Sequence, residues 1–225
     1  MKHRAVVFDL FETLITEWGH RKYVKSEMCA DLGVEREAFD RCWESLDEAR
    51  YLGRVGFVEA LRCVCAQCGV ACDEALLQRM LALHVETKSV CFQHVDPEVF
   101  ELLEALKAAG LRLAIVSNCS AEEVAPMGRS RLAPYFDEII LSCEVGLKKP
   151  DQRIYQEAAR RLGVAPGDCV FVGDGGSHEL EGARAVGMTA IQAKWYTDQH
   201  PRKRGSMPGF LIAERPMDVM KEVCP

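Results

Sequence analysis

What most constrains this chain is where its polar residues fall relative to its apolar runs. Val6-Val7-Phe8 ends in Asp9, Ala114-Ile115-Val116 ends in Ser117, and Val170-Phe171-Val172-Gly173 ends in Asp174. Short unbroken apolar runs of this kind read as strands buried on both faces, the habit of parallel sheets covered by helices. Between the runs the apolar period becomes helical, and Gly110, Gly163 and Gly187 close the helical stretches. After Pro97 the expected order is a helix at 97–109, a strand at 111–117, a short helix at 121–128 and a strand at 138–142. A helix at 151–162, a strand at 168–173, a helix at 178–186 and a strand at 188–193 follow, then a short strand at 209–213 and a helix at 216–222. Such alternation builds βαβ units, so the fold class expected is α/β with a Rossmann-like parallel sheet. Ligands of these sheets lie beyond the carboxyl ends of the strands. Three separate polar placements at that one edge mark a site.

The stretch from about residue 20 to 90 breaks the alternation. Helices are expected near 21–32, 36–51, 57–68 and 73–90, separated by Gly33, Gly53, Gly56 and Gly69, with no strand among them. The chain therefore divides into an α/β core, residues 1–16 and 92–225, and an all-helical insertion over 17–91. Its 225 residues suit one domain carrying such an insertion.

Charge and cysteine usage narrow the function classes. With 28 Lys and Arg against 34 Asp and Glu the formal net charge is -6, which gives no electrostatic support to nucleic-acid or anionic-membrane binding. No apolar run nears the ~20 residues of a membrane span, and the N-terminus reads as a strand rather than a signal peptide. A cytoplasmic protein is expected. Eleven cysteines, an odd number without a secretion signal, point to free thiols. Cys65, Cys68 and Cys72 (with Cys63 beside them) follow i, i+3, i+7 spacing among Leu61, Val64 and Val70, the pattern of a buried helical stripe rather than a metal cluster.

A carboxylate at a strand end can serve as nucleophile, base or metal ligand. Asp9 and Asp174 at neighbouring strand ends would repel unless a cation sits between them, and a few hard oxygen ligands favour Mg²⁺. Ser117 and Asn118 offer a hydroxyl and an amide suited to an anion, and Lys149, fixed by Pro150 just before a helix, offers a point charge.

Four segments in this order resemble the signatures of the haloacid dehalogenase superfamily, and together they cover nearly the whole chain. They are Val7-Phe8-Asp9-Leu10-Phe11-Glu12-Thr13-Leu14; Val116-Ser117-Asn118; Gly146-Leu147-Lys148-Lys149-Pro150-Asp151; and Val172-Gly173-Asp174-Gly175-Gly176-Ser177-His178-Glu179, followed by Gly182-Ala183 and Gly187-Met188. The insertion after the first segment is similar to that family's helical cap. The resemblance implies Asp9 as the nucleophile and Ser117 as the group that binds the transferred moiety, with Asn118 as its neighbour. It implies Lys149, rather than Lys148, as the lysine beside the nucleophile. It also implies a Mg²⁺ site made by Asp9, the backbone carbonyl of Phe11 and Asp174, with Glu179 acting through a water.

Phe11 departs from the pattern. Phosphatases of the family usually carry there an Asp that protonates the leaving group, and general acid–base help is typically worth ~10²–10⁴-fold. An aromatic at this position resembles instead the family's 2-haloacid dehalogenases, which need neither a proton donor nor a metal. Those enzymes lack the Gly-Asp acidic loop that Gly173-Asp174 retains here. The expected function is thus a Mg²⁺-dependent phosphatase of a small phosphorylated metabolite. The alternatives are a metal-independent 2-haloacid dehalogenase and a degenerate member that binds without turnover.

Other residues admit two readings each. Glu12 offers a carboxyl in place of the missing proton donor, though strand-end side chains alternate and it is expected to point away. His178 is expected to cap the following helix in solvent. Trp18, His20 and Arg21 flank the hinge into the insertion and either contact substrate or pack there. Arg54, in Gly53-Arg54-Val55-Gly56, suits an anionic substrate if the loop overhangs the site. Pro201-Arg202-Lys203-Arg204-Gly205 reads as an exposed loop. A small anionic substrate and a monomeric or homodimeric state complete the expectations.

Overall fold

The computed structural model describes residues 3–197 and 205–223. In chain order come β1 (Ala5–Phe8), then α1 (Lys25–Leu32), α2 (Arg36–Ser45), α3 (Asp47–Tyr51), α4 (Phe57–Cys68) and α5 (Glu74–Gln93). The second half holds α6 (Pro97–Ala108), β2 (Arg112–Ser117), α7 (Ala121–Val124), β3 (Glu138–Leu141), α8 (Ser142–Val145), α9 (Gln152–Leu162), β4 (Cys169–Gly173), α10 (Glu179–Ala185), β5 (Thr189–Ala193), β6 (Leu211–Ala213) and α11 (Val219–Val223).

The six strands form one parallel sheet in the order β3-β2-β1-β4-β5-β6. Phe8 is level with Ile115 on one side and Val172 on the other. Asp9, Ser117 and Asp174 therefore leave three adjacent strands at the same edge. Alternate residues serve opposite faces, as the strand's period of two dictates. Val6, Phe8, Leu113, Ile115, Val170 and Val172 pack with α6 and α11, while Ala5, Val7, Ala114, Val116 and Phe171 pack with α9 and α10. Burying each large apolar side chain stabilises the fold by ~1.5–3 kcal/mol. The sheet is thus a rigid base for whatever stands on its edge.

Helices α1, α2, α4 and α5 enclose a core of their own, with Phe39, Trp43, Phe57, Leu61, Leu77 and Met80 buried in it. The stretch expected as one helix over 36–51 is two, α2 and α3, parted at Leu46. At the break Ser45 donates its hydroxyl to the Cys42 carbonyl at 2.6 Å, a back-bond that bends helices. The helix expected at 121–128 stops at Val124, because Pro126 lacks the N–H that a further turn needs, and a 3₁₀ turn over Met127–Arg129 follows. The closing helix likewise begins as a 3₁₀ turn, Pro216–Asp218. The cysteine stripe is only partly buried: Cys65 is in the core, Cys63 and Cys68 are half-buried, and Cys72 lies exposed beyond the end of α4.

Among the described residues no helix is long and apolar enough to cross a membrane. The basic stretch lies outside the described residues, apart from Gly205.

Candidate active site

Asp9 continues the β1 ladder, its amide donating to Val172 O at 2.8 Å, and its side chain is buried. The chain then folds back on itself: the Leu14 and Ile15 amides both donate to the Leu10 carbonyl, at 2.9 and 3.0 Å. Glu12 takes a positive φ of 58° to make the turn. The return brings the Thr13 hydroxyl to Asp9 Oδ2 at 3.1 Å, a contact that no spacing rule signals in advance. Glu12 turns away, accepting from the Thr16 hydroxyl at 2.6 Å and the Glu17 amide at 2.9 Å.

Lys149 is buried against the other oxygen, Asp9 Oδ1, and reaches Glu179 Oε2 at 2.6 Å. Lys148 lies outward, 3.4 Å from Glu48. Asn118, expected to face a bound anion, instead uses both ends of its amide on the Lys149 main chain: Nδ2 donates to Lys149 O at 2.9 Å, and Oδ1 accepts from Lys149 N at 2.7 Å. It positions the lysine. Ser117 is buried at the end of β2, and its Oγ has no hydrogen-bond partner among the described residues. An unpartnered buried hydroxyl costs free energy until a ligand oxygen meets it.

The loop after β4 is built around two carboxylates. Asp174 Oδ1 accepts from the Gly176 amide at 2.8 Å, and Glu179 Oε1 from the Gly175 amide at 3.0 Å. Ser177 and His178 both take φ of 53°, strained for residues with a Cβ, and this double left-handed turn swings Glu179 back beneath the loop. Only glycine fits at 173, because a Cβ there would lie 2.2 Å from Glu179 Oε1. His178 does not cap α10 with its side chain, which points into solvent.

Asp9, Asp174 and Glu179 each offer an oxygen within 4.8 Å of the others. Burial pushes Asp9 above the usual carboxylate range against the pull of Lys149, and Asp174 adds to the rise. Burial, then the Asp9 and Asp174 carboxylates, push Glu179 up to about 8 against the pull of Lys149, and Asp9 and Glu179 hold the buried Lys149 firmly protonated. Fully ionised, three carboxylates and one ammonium leave two negative charges in a dry site. A divalent cation with hard oxygen preferences matches both that charge and that donor set.

Phe11 stands two residues past Asp9 with its ring edge-to-face against Phe92 at 6.5 Å and Lys88 Nζ 5.3 Å from its centre. Arg54 is exposed, and its side chain makes no hydrogen bond or ion pair among the described residues. The loop it occupies does touch the core, since a Cβ on Gly53 would collide with the Cys143 carbonyl. The buried arginine of the insertion is Arg50, which lies on the Trp43 ring at 4.1 Å and donates to Glu122 at 2.7 Å. Lys88 pairs with Glu123 at 3.0 Å and with Glu17. Adjacent glutamates on α7, just past Ser117, thus each take a cation from the helical insertion. Sequence reasoning passed over Arg50, Lys88 and both glutamates, because charged residues on helices ordinarily read as solvated. At the hinge, Arg21 pairs with Glu27, Trp18 lies exposed under Lys22, and the His20 ring lies tilted against His94 at a centroid distance of 5.2 Å.

The parallel sheet thus carries a carboxylate-and-lysine cluster at its carboxyl edge, and the helical insertion reaches that edge through Arg50 and Lys88. The chain belongs to the haloacid dehalogenase-like hydrolases, whose family model matches residues 3–187. It is 29% identical over 234 residues to the glyceraldehyde 3-phosphate phosphatase of Methanopyrus kandleri, covering 98% of both chains. It is 34% identical over 186 residues to an (S)-2-haloacid dehalogenase of Pseudomonas putida, covering 75% of each. Among solved structures, a 2-haloacid dehalogenase from Pseudomonas syringae aligns with a TM-score of 0.71 at 24% identity, covering 98% of this chain and 97% of that one. A phosphatase of the same family from Thermococcus onnurineus aligns at 0.63 and 23% identity, covering 98% of both. These two structural likenesses speak to the fold.

Proposed function

We propose that the protein is a Mg²⁺-dependent phosphohydrolase acting on a small phosphate ester or anhydride through a covalent aspartyl-phosphate on Asp9. The observation that carries this reading is the triad of Asp9, Asp174 and Glu179 around one lysine, a cluster short of two positive charges. Glu179 also serves to hold Lys149, but a metal-independent displacement gives Asp174 no such role. The full-length likeness to a phosphatase supports the same reading.

Asp9, Asp174 and Glu179 would hold the ion, which when bound supplies positive charge to the oxygens of the transferring group. Thr13 and Lys149 fix the two oxygens of Asp9, so the carboxylate meets phosphorus already oriented. The Asp9 oxygen–phosphorus bond forms as the ester oxygen–phosphorus bond breaks. Water then attacks phosphorus and frees Asp9. Ser117 donates its unpartnered hydroxyl to the phosphoryl oxygens, and Lys149 offsets their developing charge. No side chain at position 11 protonates the leaving oxygen, so acyl and aryl phosphates are better substrates than alkyl ones.

The test is release of phosphate from acetyl phosphate and p-nitrophenyl phosphate, and of halide from 2-chloropropionate, each with Mg²⁺ and with EDTA. Phosphate release that EDTA abolishes supports the proposal. Halide release indifferent to EDTA favours dehalogenation, the second reading, which the aromatic Phe11 and the dehalogenase relative support.

A further inference from the structure

Strands β2 and β3 run parallel with Ser117 level with Leu141, and two residues further along each chain stand Cys119 and Cys143. Neighbouring strands lie about 5 Å apart and alternate residues share a face, so the register brings the two thiols to one side at the spacing a disulfide bridges. Beyond the last ladder pair, Ser142 keeps the two chains together. Its buried Oγ accepts from the Cys119 amide at 3.0 Å and donates to the Cys119 carbonyl at 3.1 Å. Cys143 packs against the core cluster that contains Cys119, and the Cys119 thiol donates to the Cys143 sulfur. Both are free thiols.

The two differ in access and acidity. Cys119 is fully buried, with its Sγ 3.8 Å from the Ser117 carbonyl oxygen. Cys143 is half-buried and lines a cavity of about 420 Å³ with Val124, Met127 and Glu144, which a small oxidant can enter. The hydrogen bond from Cys119 draws Cys143 below the ordinary thiol range against its burial. The same contact, together with burial, pushes Cys119 well above that range. Cys143 is therefore the reachable nucleophile, and Cys119 the shielded thiol in contact with it.

From this geometry we infer that Cys119 and Cys143 form a modification site, which hydrogen peroxide converts to an intrachain disulfide at the catalytic edge. The Cys143 thiolate attacks one peroxide oxygen and breaks the O–O bond, giving a sulfenic acid and hydroxide, which takes up the proton Cys143 released. The Cys119 sulfur then attacks the Cys143 sulfur. The S–S bond forms, the S–O bond breaks, and the Cys119 proton leaves with the oxygen as water. In total the two thiols lose two electrons and two protons, and the peroxide is reduced to two waters.

The crosslink reaches the site through the chain. Cys119 follows Ser117, which bears the unpartnered hydroxyl, and Asn118, which grips the Lys149 main chain at both ends. Drawing the sulfurs from contact into a bond shifts these two residues against Asp9, and a displacement of about 1 Å can cost ~10²-fold in rate. This consequence, unlike the bond itself, rests on the phosphohydrolase reading.

The experiment treats the full chain with hydrogen peroxide, alkylates the remaining thiols and maps the peptides by mass spectrometry without reduction. A peptide pair joined through Cys119 and Cys143 is expected, lighter by two hydrogens, lost on adding dithiothreitol and absent from Cys143→Ser. The inference is overturned if both thiols are still alkylated, if Cys143 proceeds to a sulfinic acid while Cys119 stays free, or if either joins another cysteine. The wild-type map decides this even if the variant does not fold. Turnover of acetyl phosphate with Mg²⁺ is expected to fall about tenfold as the link forms, to return with dithiothreitol and to persist in peroxide-treated Cys143→Ser. Linked protein at full turnover overturns the coupling to the catalytic edge. No turnover by the reduced chain overturns the phosphohydrolase reading, and the peptide map still decides the disulfide.

Discussion

Replacing Phe11 by Asp asks the site to recover the proton donor it lacks. The substituted side chain would point where the ring now lies, with Lys88 Nζ 5.3 Å from the ring centre. At that distance, and at an effective dielectric near 20, one bare positive charge would favour the ionised carboxylate by about 3 kcal/mol. Lys88 is already shared by Glu17 and Glu123, so the net effect is smaller. Whatever part of that pull survives the two carboxylates favours the ionised form, which cannot donate a proton. The gain on an alkyl phosphate should therefore fall at the lower end of general acid catalysis, about 10²-fold. Acetyl phosphate, whose leaving group needs no proton, should change by less than about threefold. Losing the half-buried ring against Phe92 costs about 1–2 kcal/mol of stability. The assay is kcat/KM across phosphate esters of graded leaving-group pKa. Wild type should fall steeply as the leaving group becomes more basic, and Phe11→Asp should flatten the slope. An equal gain on every ester, or an unchanged slope, would refute the placing of the missing acid at position 11.

The remaining expectations test other parts of the site. Glu179 has a folded pKa of about 8 against 4.5 unfolded, so without a divalent ion the folded chain binds the extra proton between these values. Stability then falls as pH rises through that window, and the rise in Tm on adding Mg²⁺ should grow over the same window; a shift independent of pH contradicts this. Gly173→Ala drives a Cβ into the Glu179 carboxylate and should cost about 2–4 kcal/mol in denaturant titration and abolish the Mg²⁺-dependent shift. Arg50→Met strands the buried Glu122, and chemical denaturation should show a loss of about 3–5 kcal/mol, much of it recovered in the double variant with Glu122→Gln.

The parts legible in the sequence were those set by a short period. Apolar runs ending in Asp9, Ser117 and Asp174 imply parallel strands sharing one edge, and the sheet order places the three side by side. Glycines after α4, α6 and α9 marked where those helices close. What spacing does not convey is the partner of a polar atom. Asn118 was legible as a polar residue at the right edge, but its use on the Lys149 backbone depends on a loop 31 residues away. Arg54 attracted notice because it stands between two glycines, whereas Arg50, inside α3, is the one buried on Trp43. Cys119 and Cys143 carried no signal as a pair, since only the register of β2 on β3 brings them together.

The central claim is a phosphoryl group carried by Asp9, and mass spectrometry of acid-quenched protein during turnover of acetyl phosphate tests it most directly. With Mg²⁺ present, the peptide containing Asp9 should gain the mass of one phosphoryl group, and the adduct should vanish in EDTA and in Asp9→Asn. Phosphate released at full rate with Asp9 unmodified, or with Asp9→Asn still active, would contradict the account.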